Sequence, residues 1–283
     1  MSEPEGLLLI DKPGGMTSHD VVDVVRRRLG TRKVGHAGTL DPMATGLLVL
    51  GVGRATRLLR FLGTLPKTYE GTARLGVETT TLDADGEVTV ERPVTATDAD
   101  VREAMTSLVG DSSQAPPAYS AVKVGGRKLY EAARRGQILE AAPRPIHVDA
   151  FDVITLRGHD LDFRVTCSGG TYVRVLLADV GRILGSGAHL TRLRRTAIGT
   201  LEASGAVDPM RVETPLPLER AVAHLPRFDL GPDEAIAAGH GSILAPAGFV
   251  GPYAVFAPSG ALIGVYEDEG AKARPHVILA PSA

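Results

Sequence analysis

The chain has no tryptophan, one cysteine and an aromatic share of only 4%, and each shortage excludes something. A single cysteine, Cys167, cannot build an internal disulfide framework. Set in an apolar alternating stretch, it reads as a small buried hydrophobe and not as a nucleophile. The eight histidines show neither H-E-x-x-H nor paired C-x-x-C spacing, so no metal site is expected. No long apolar run is present, and the start "MSEPEGLLLIDKP" lacks a basic n-region and an apolar signal core. A cytoplasmic protein without a membrane partner is therefore expected. Charge of one sign is also scarce: a formal net charge of −2 argues against a uniformly basic nucleic-acid binder.

What is present is unevenly spread. Residues 121–147 carry Lys123, Arg127, Lys128, Arg134, Arg135 and Arg144 against Glu131 and Glu140, a local charge of +4, whereas residues 229–283 sum to −4. "RRRLGTRK" (26–33) and "RLRR" (192–195) are two more basic clusters. The commonplace explanation of any one charge run is a solvated helix face or loop; three along one chain favour an anionic partner.

With 283 residues, 43% of them hydrophobic, one large domain plus a small one is comfortable. "GLLLIDKP" reads as a buried strand, followed by a helix that Thr17 or Ser18 caps and Gly30 ends, with Val21, Val22, Val25 and Leu29 at helical spacing. "GLLVLGVG" reads as a strand, "ATRLLRFLG" as a short helix and "KTYEGTARLGVET" as a long half-buried strand. "TDADVREAMTSLVG" reads as a capped helix, residues 145–170 as two strands turning at Gly158, and "TYVRVLLADVGRILG" as an amphipathic helix. The irregular interleaving predicts an α+β body, residues 1–226, with a large mixed, mainly antiparallel sheet flanked by helices. After a proline-rich stretch, short strands with Gly and Pro turns predict a small β-rich domain over 227–283.

The chemistry concentrates in "GHAGTLDPMATG" (35–46). Three glycines and Pro42 restrict the backbone while His36 and Asp41 are presented from it; Gly permits close approach of another chain, and Pro42 biases Asp41 toward an extended conformation. An arbitrary Asp-Pro pair is usually just a turn. "GVGRAT" (51–56) lacks both the third glycine of a dinucleotide loop and the Gly-Lys-Ser/Thr of a P-loop, and is better explained as a strand end before a helix. His147 and His159 stand near strand ends with no partner in view and read as structural.

"KVGHAGTLDPMATGLLVLGVGRATRL" closely resembles the signature of the TruB family of tRNA pseudouridine synthases. The resemblance continues in order through "LLLIDKPGGMTSHDVV", "KTYEGTARLGVETTTLDADG", "PPAYSAVKVGGRKLYEAARRG", "CSGGTYVRVLLADVG" and "GAHLTRLRRTAIG", covering residues 6 to 200. It implies isomerisation of a T-loop uridine of transfer RNA, at position 55, to pseudouridine by cutting the N-glycosidic bond, turning the base and rejoining it through carbon 5, with no cofactor. The family's catalytic aspartate falls on Asp41, its cation on Arg174, its stacking tyrosine on Tyr69, a second tyrosine near the base on Tyr172 and an apolar wall on Leu193. His36 matches a histidine that contacts RNA and helps the uridine leave its loop; Lys12 and Pro13 match a mainly structural pair. A carboxylate in a closing site needs a cation beside it, and a guanidinium stays charged and offers a bidentate fork. A stacked uridine must be taken out of its stack to be reached.

Residues 121–147 correspond to an insertion folded over the T-arm of the tRNA, which would bring Lys123, Arg127, Lys128, Arg134 and Arg135 to phosphates. The C-terminal part resembles a PUA-like domain, but is short and acidic, so little phosphate binding is expected of it. A monomer is expected. Two other readings compete: a tRNA-binding or RNA-folding protein using the same surface without chemistry, which would not require the carboxylate, and a glycoside-processing enzyme, which normally needs a second carboxylate that the matched motifs do not supply.

Overall fold

In the computed structural model, which describes residues 3–120, 122–133, 135–137, 139 and 141–279, apolar runs bounded by Gly and Pro become strands. β1 (Gly6–Lys12) is buried from Leu7 to Ile10. The chain then enters α1 (Ser18–Leu29), where the Thr17 hydroxyl accepts from the Asp20 N–H at 3.1 Å and the Asp20 carboxylate accepts from the Thr17 N–H at 2.8 Å. Such a reciprocal cap satisfies two otherwise orphaned donors, and Gly30 closes the helix at φ +63°. β2 (Val34–His36) and β1 flank β3 (Thr45–Val52) on either side, both antiparallel to it. β3 sends Leu48, Leu50 and Val52 to one apolar cluster and Leu47 and Val49 to another, which is why its sequence is a continuous hydrophobic run.

A 3₁₀ turn, Gly53–Arg57, and α2 (Leu59–Gly63) together replace the single short helix expected there. β4 (Lys67–Leu75) follows, then a small hairpin of β5 (Val77–Thr79) and β6 (Val88–Glu91), α3 (Asp98–Thr106) and β7 (Gly110–Gln114). The basic segment forms a two-residue-per-strand hairpin, β8 (Lys123–Val124) and β9 (Arg127–Lys128), and α4 (Leu129–Ala133). β10 (Arg144–Arg157) and β11 (Asp160–Cys167) turn at Gly158, and α5 (Val173–Ile183), β12 (Ala188–Ile198) and β13 (Leu201–Glu202) complete the body.

Among the described residues the body sheet has nine strands, in the order β1-β3-β12-β4-β11-β10-β7, with β2 on β3 and β13 on β12. Only the β3–β12 pairing is parallel, so the sheet is mixed and mainly antiparallel. That pairing depends on Gly46, at φ +96°: a Cβ there would lie 2.3 Å from the Arg195 carbonyl oxygen. α3 and α5 cover one face, where Met105, Leu176 and Val180 join Leu50, Phe163 and Val165.

The proline-rich stretch is not a free linker. It runs along β1, with backbone hydrogen bonds of 2.9 Å from Val207 N–H to Leu9 O and 2.7 Å from Leu216 N–H to Leu7 O, and so covers a sheet edge. Beyond it, β14 (Arg227–Asp229), α6 (Pro232–Gly239), β15 (Pro252–Phe256), β16 (Leu262–Glu269) and β17 (Lys272–Ile278) form a small unit with a four-stranded sheet. Ala254, Phe256, Leu262 and Val265 from this sheet share an apolar cluster with Leu7, Leu47, Leu58 and Phe61 of the body. No helix among the described residues is long and apolar enough to cross a membrane.

Candidate active site

The β2–β3 connection carries Asp41, and buried cations fix it from both sides. Arg195, 1% exposed, donates to the carbonyls of Gly38 (3.2 Å), Thr39 (3.4 Å) and Leu47 (2.7 Å). Lys12, fully buried, gives its ammonium to the carbonyls of Pro13 (2.9 Å), Met16 (2.6 Å) and Pro42 (3.2 Å). The Ser18 hydroxyl accepts from the Leu40 N–H at 2.8 Å. A loop so tethered holds its one carboxylate in a narrow range of positions.

Asp41 meets Arg174, the second residue of α5. Arg174 is 4% exposed and spreads its donors over three chain segments: Nε to Asp41 Oδ2 at 3.0 Å, one terminal nitrogen to Thr81 O at 3.1 Å and the other to Tyr119 O at 3.0 Å. A second carboxylate, the buried Asp83, lies 3.8 Å from the same Nε, whereas Asp41 is only partly buried. The start of α5 has no side-chain cap of its own. Instead the Gln114 side chain clamps the Tyr172 backbone from both directions, accepting from its N–H at 2.8 Å and donating to its carbonyl at 3.2 Å.

These segments enclose a cleft of about 280 Å³, into which Asp41, Tyr69, Tyr172, Arg174 and Leu193 converge. Tyr69 on β4 and Arg195 on β12 are register partners, with the guanidinium 6.0 Å from the ring centroid; burial pushes the phenol's pKa up. Lys67, also on the cleft wall, donates to the carbonyls of Gly63 (2.8 Å) and Leu65 (2.7 Å). Burial pushes both Lys67 and Lys12 down to about 8.

His36 is placed differently: it ends β2 opposite Leu50, is half-buried, and is not among the residues lining the cleft. Burial lowers its imidazole pKa. Of the basic insertion, Lys123, Arg127 and Arg135 are exposed, Lys128 lies on β9, and Arg134 falls outside the described residues. The "RLRR" cluster is not a uniformly solvated patch, because it lies on an inner strand: Arg192 is exposed, Arg194 makes a paired contact with Asp11 (2.9 Å and 2.9 Å), and Arg195 points inward. Cys167 is fully buried and its thiol is pushed up to about 11, the state of an inert thiol. His147 pairs with Asp111 at 2.7 Å across β10 and β7, a surface link.

Sequence reasoning missed Lys67, Asp83, Gln114, Ser120 and Arg195 as parts of this neighbourhood. Arg195 and Lys67 left no more than a positional signal, two residues from Leu193 and from Tyr69 and so on the same strand faces as those residues.

Comparison with known proteins agrees on one family. A family model described as "TruB family pseudouridylate synthase (N terminal domain)" matches residues 26–173, and one described as "tRNA Pseudouridine synthase II, C terminal" matches 225–280. The tRNA pseudouridine synthase B of Mycobacterium sp. (strain KMS) is 47% identical, over 98% of this chain and 97% of that protein. The enzyme of the same name from Thermobifida fusca is 46% identical, over 98% and 99%. Among solved structures, a Cbf5-Nop10-Gar1 complex contains a chain 26% identical with a TM-score of 0.71, covering 98% of this chain and 84% of that one. A chain of an H/ACA RNP bound to a substrate RNA, at 23% identity and a TM-score of 0.73 over 98% and 85%, shares the fold.

Proposed function

The chain belongs to the TruB family of pseudouridylate synthases, and from that premise we propose that it converts uridine 55 in the T-loop of transfer RNA to pseudouridine, with Asp41 as the catalytic carboxylate. The bond between N1 of uracil and C1′ of the ribose breaks, the base turns, a bond from C5 to C1′ forms, and the proton lost from C5 is balanced by one gained at N1. Substrate and product are isomers, so no electrons or groups are exchanged with a third molecule.

The observation that carries this reading is the 3.0 Å pairing of Asp41 with Arg174 at a cleft walled by Tyr69, Tyr172 and Leu193. A flipped uridine fits such a place: a carboxylate reaches the sugar or base, aromatic and aliphatic walls hold the ring, and a fixed guanidinium is its counterion. Aromatic stacking of a base is worth about 1–3 kcal/mol, and the tyrosines are the candidates for it. His36, outside the cleft, handles the RNA as the uridine leaves its loop. Lys123, Arg127, Lys128, Arg134 and Arg135 contact phosphates of the T-arm, which orients the RNA without reading its sequence.

The test is incubation with an unmodified tRNA transcript and mapping of pseudouridine at single-nucleotide resolution. Wild type is expected to modify position 55 alone. Asp41→Asn is expected to yield no product while binding tRNA with a Kd within about twofold of wild type, since an amide keeps the shape and loses the charge. Undiminished product from Asp41→Asn would overturn the assignment of the carboxylate.

A further inference from the structure

Among the described residues, three buried side-chain polar atoms have no hydrogen-bond partner: Arg26 Nε, His36 Nδ1 and Ser120 Oγ. Arg26 satisfies its other nitrogens through Asp23 (3.1 Å) and the Val34 carbonyl (3.0 Å). Of the three residues, Ser120 is the one that lines the Asp41 cleft, and it is 5% exposed.

The backbone around Ser120 is fixed. The preceding carbonyl, of Tyr119, accepts from Arg174 at 3.0 Å, and the carbonyl of Ser120 itself accepts from the Tyr130 N–H at 3.1 Å. The side chain is therefore left with one rotor and with the full capacity of a hydroxyl, one donor and two acceptor positions. Buried polar groups are nearly always paired, and each exception calls for an explanation. A serine that gains nothing from its hydroxyl within the protein, on the wall of a cleft that also presents the catalytic carboxylate, is explained by a partner that arrives with the substrate.

We propose that Ser120 is a substrate-binding residue, its hydroxyl making a hydrogen bond to an oxygen of the nucleoside held beside Asp41. The inference rests on the functional reading above and goes beyond it by assigning a contact to the "PPAYS" segment, which is also tied to the site through the Tyr119 carbonyl. The oxygen belongs either to the ribose or to the uracil.

The two roles open to Ser120 move stability and activity in opposite directions. Removing an unpartnered buried hydroxyl relieves the folded state, so Ser120→Ala is expected to melt at or above the wild-type temperature. Its rate of pseudouridine formation at subsaturating tRNA, which reads kcat/KM, is expected to fall roughly three- to tenfold, the size of one ordinary hydrogen bond. A transcript with 2′-deoxyuridine at the target tests the 2′-oxygen. A contact to the 2′-hydroxyl makes the Ser120→Ala penalty vanish on that substrate, read in the rate or, where no turnover occurs, in the Kd; a contact to the uracil or to another ribose oxygen leaves it in place. A Ser120→Ala enzyme with the wild-type rate would overturn the inference while leaving the function intact, whereas absence of product from wild type would overturn the function first. A lower melting temperature together with an unchanged rate would assign the hydroxyl a purely structural partner and equally end the proposal.

Discussion

Lys12 and Lys67 are buried ammonium groups that spend their protons on backbone carbonyls, three and two of them respectively. Burial lowers both to about 8 from the ordinary lysine value of 10.5. Between those two pH values the unfolded chain holds more protons than the folded one, so stability rises with pH, by up to about 1.4 kcal/mol per pH unit for each lysine. Cys167, pushed up to about 11, opposes this from about pH 9 with one group against two lysines, and Tyr69, whose pKa is raised, adds to it above pH 10. Urea unfolding at pH 8, 9 and 10 is expected to show a rising stability in wild type and a shallower rise in Lys67→Met; equal slopes would contradict the burial argument. The place of Asp41 beside a cleft was suggested in the sequence by a loop crowded with glycines and Pro42, and its choice over an ordinary Asp-Pro turn came from the resemblance to the TruB family. Lys67 and Arg195 were not so marked, because a cation in a chain of mixed charge reads as solvated, and only the packing reveals that carbonyls of neighbouring segments receive it. Asp83 was hidden similarly, inside a stretch that reads as a plain turn.

Strands and capped helices followed from local rules where one rule dominated. The reciprocal caps at Thr17–Asp20 and Thr97–Asp100 and the apolar run of β3 leave no competing conformation. β12 was obscured because "RLRR" puts charge on an inner strand, a cost that the sheet offsets by pairing Arg194 with Asp11 and turning Arg195 into carbonyls. The β8–β9 hairpin is the opposite case: short, exposed and basic, with little apolar burial to hold it. Arg127→Gln in the hairpin, combined with Arg135→Gln just past α4, is expected to weaken tRNA binding and to lower the slope of log Kd against log salt by about 1 for each phosphate contact removed. Filter binding at several salt concentrations checks it, and an unchanged slope would mean that the hairpin faces away from RNA.

The body and the terminal four-stranded sheet are joined by a common apolar cluster, with the proline-rich stretch laid along β1. The two units are therefore expected to unfold together. Phe256→Ala, which removes a nearly buried ring from that cluster, is expected to cost about 3–5 kcal/mol and to shift a single transition in thermal or urea unfolding. Two separated transitions, with the body's unmoved, would show that the cluster does not couple them. Sequence patterning indicated the change of composition near residue 227 but not this joint, because an interface is made of residues that look like any other core.

Arg174 reaches three segments at once, and one of them, through Tyr119, leads directly into the basic hairpin. A hydrogen bond to a charged donor contributes about 1.5–3 kcal/mol, so the Tyr119 carbonyl is held to the guanidinium more firmly than by an ordinary backbone contact. The stretch that carries the basic hairpin is thus moored to the same guanidinium that holds Asp41. A pull on the hairpin is felt at Asp41 within a single side chain's length.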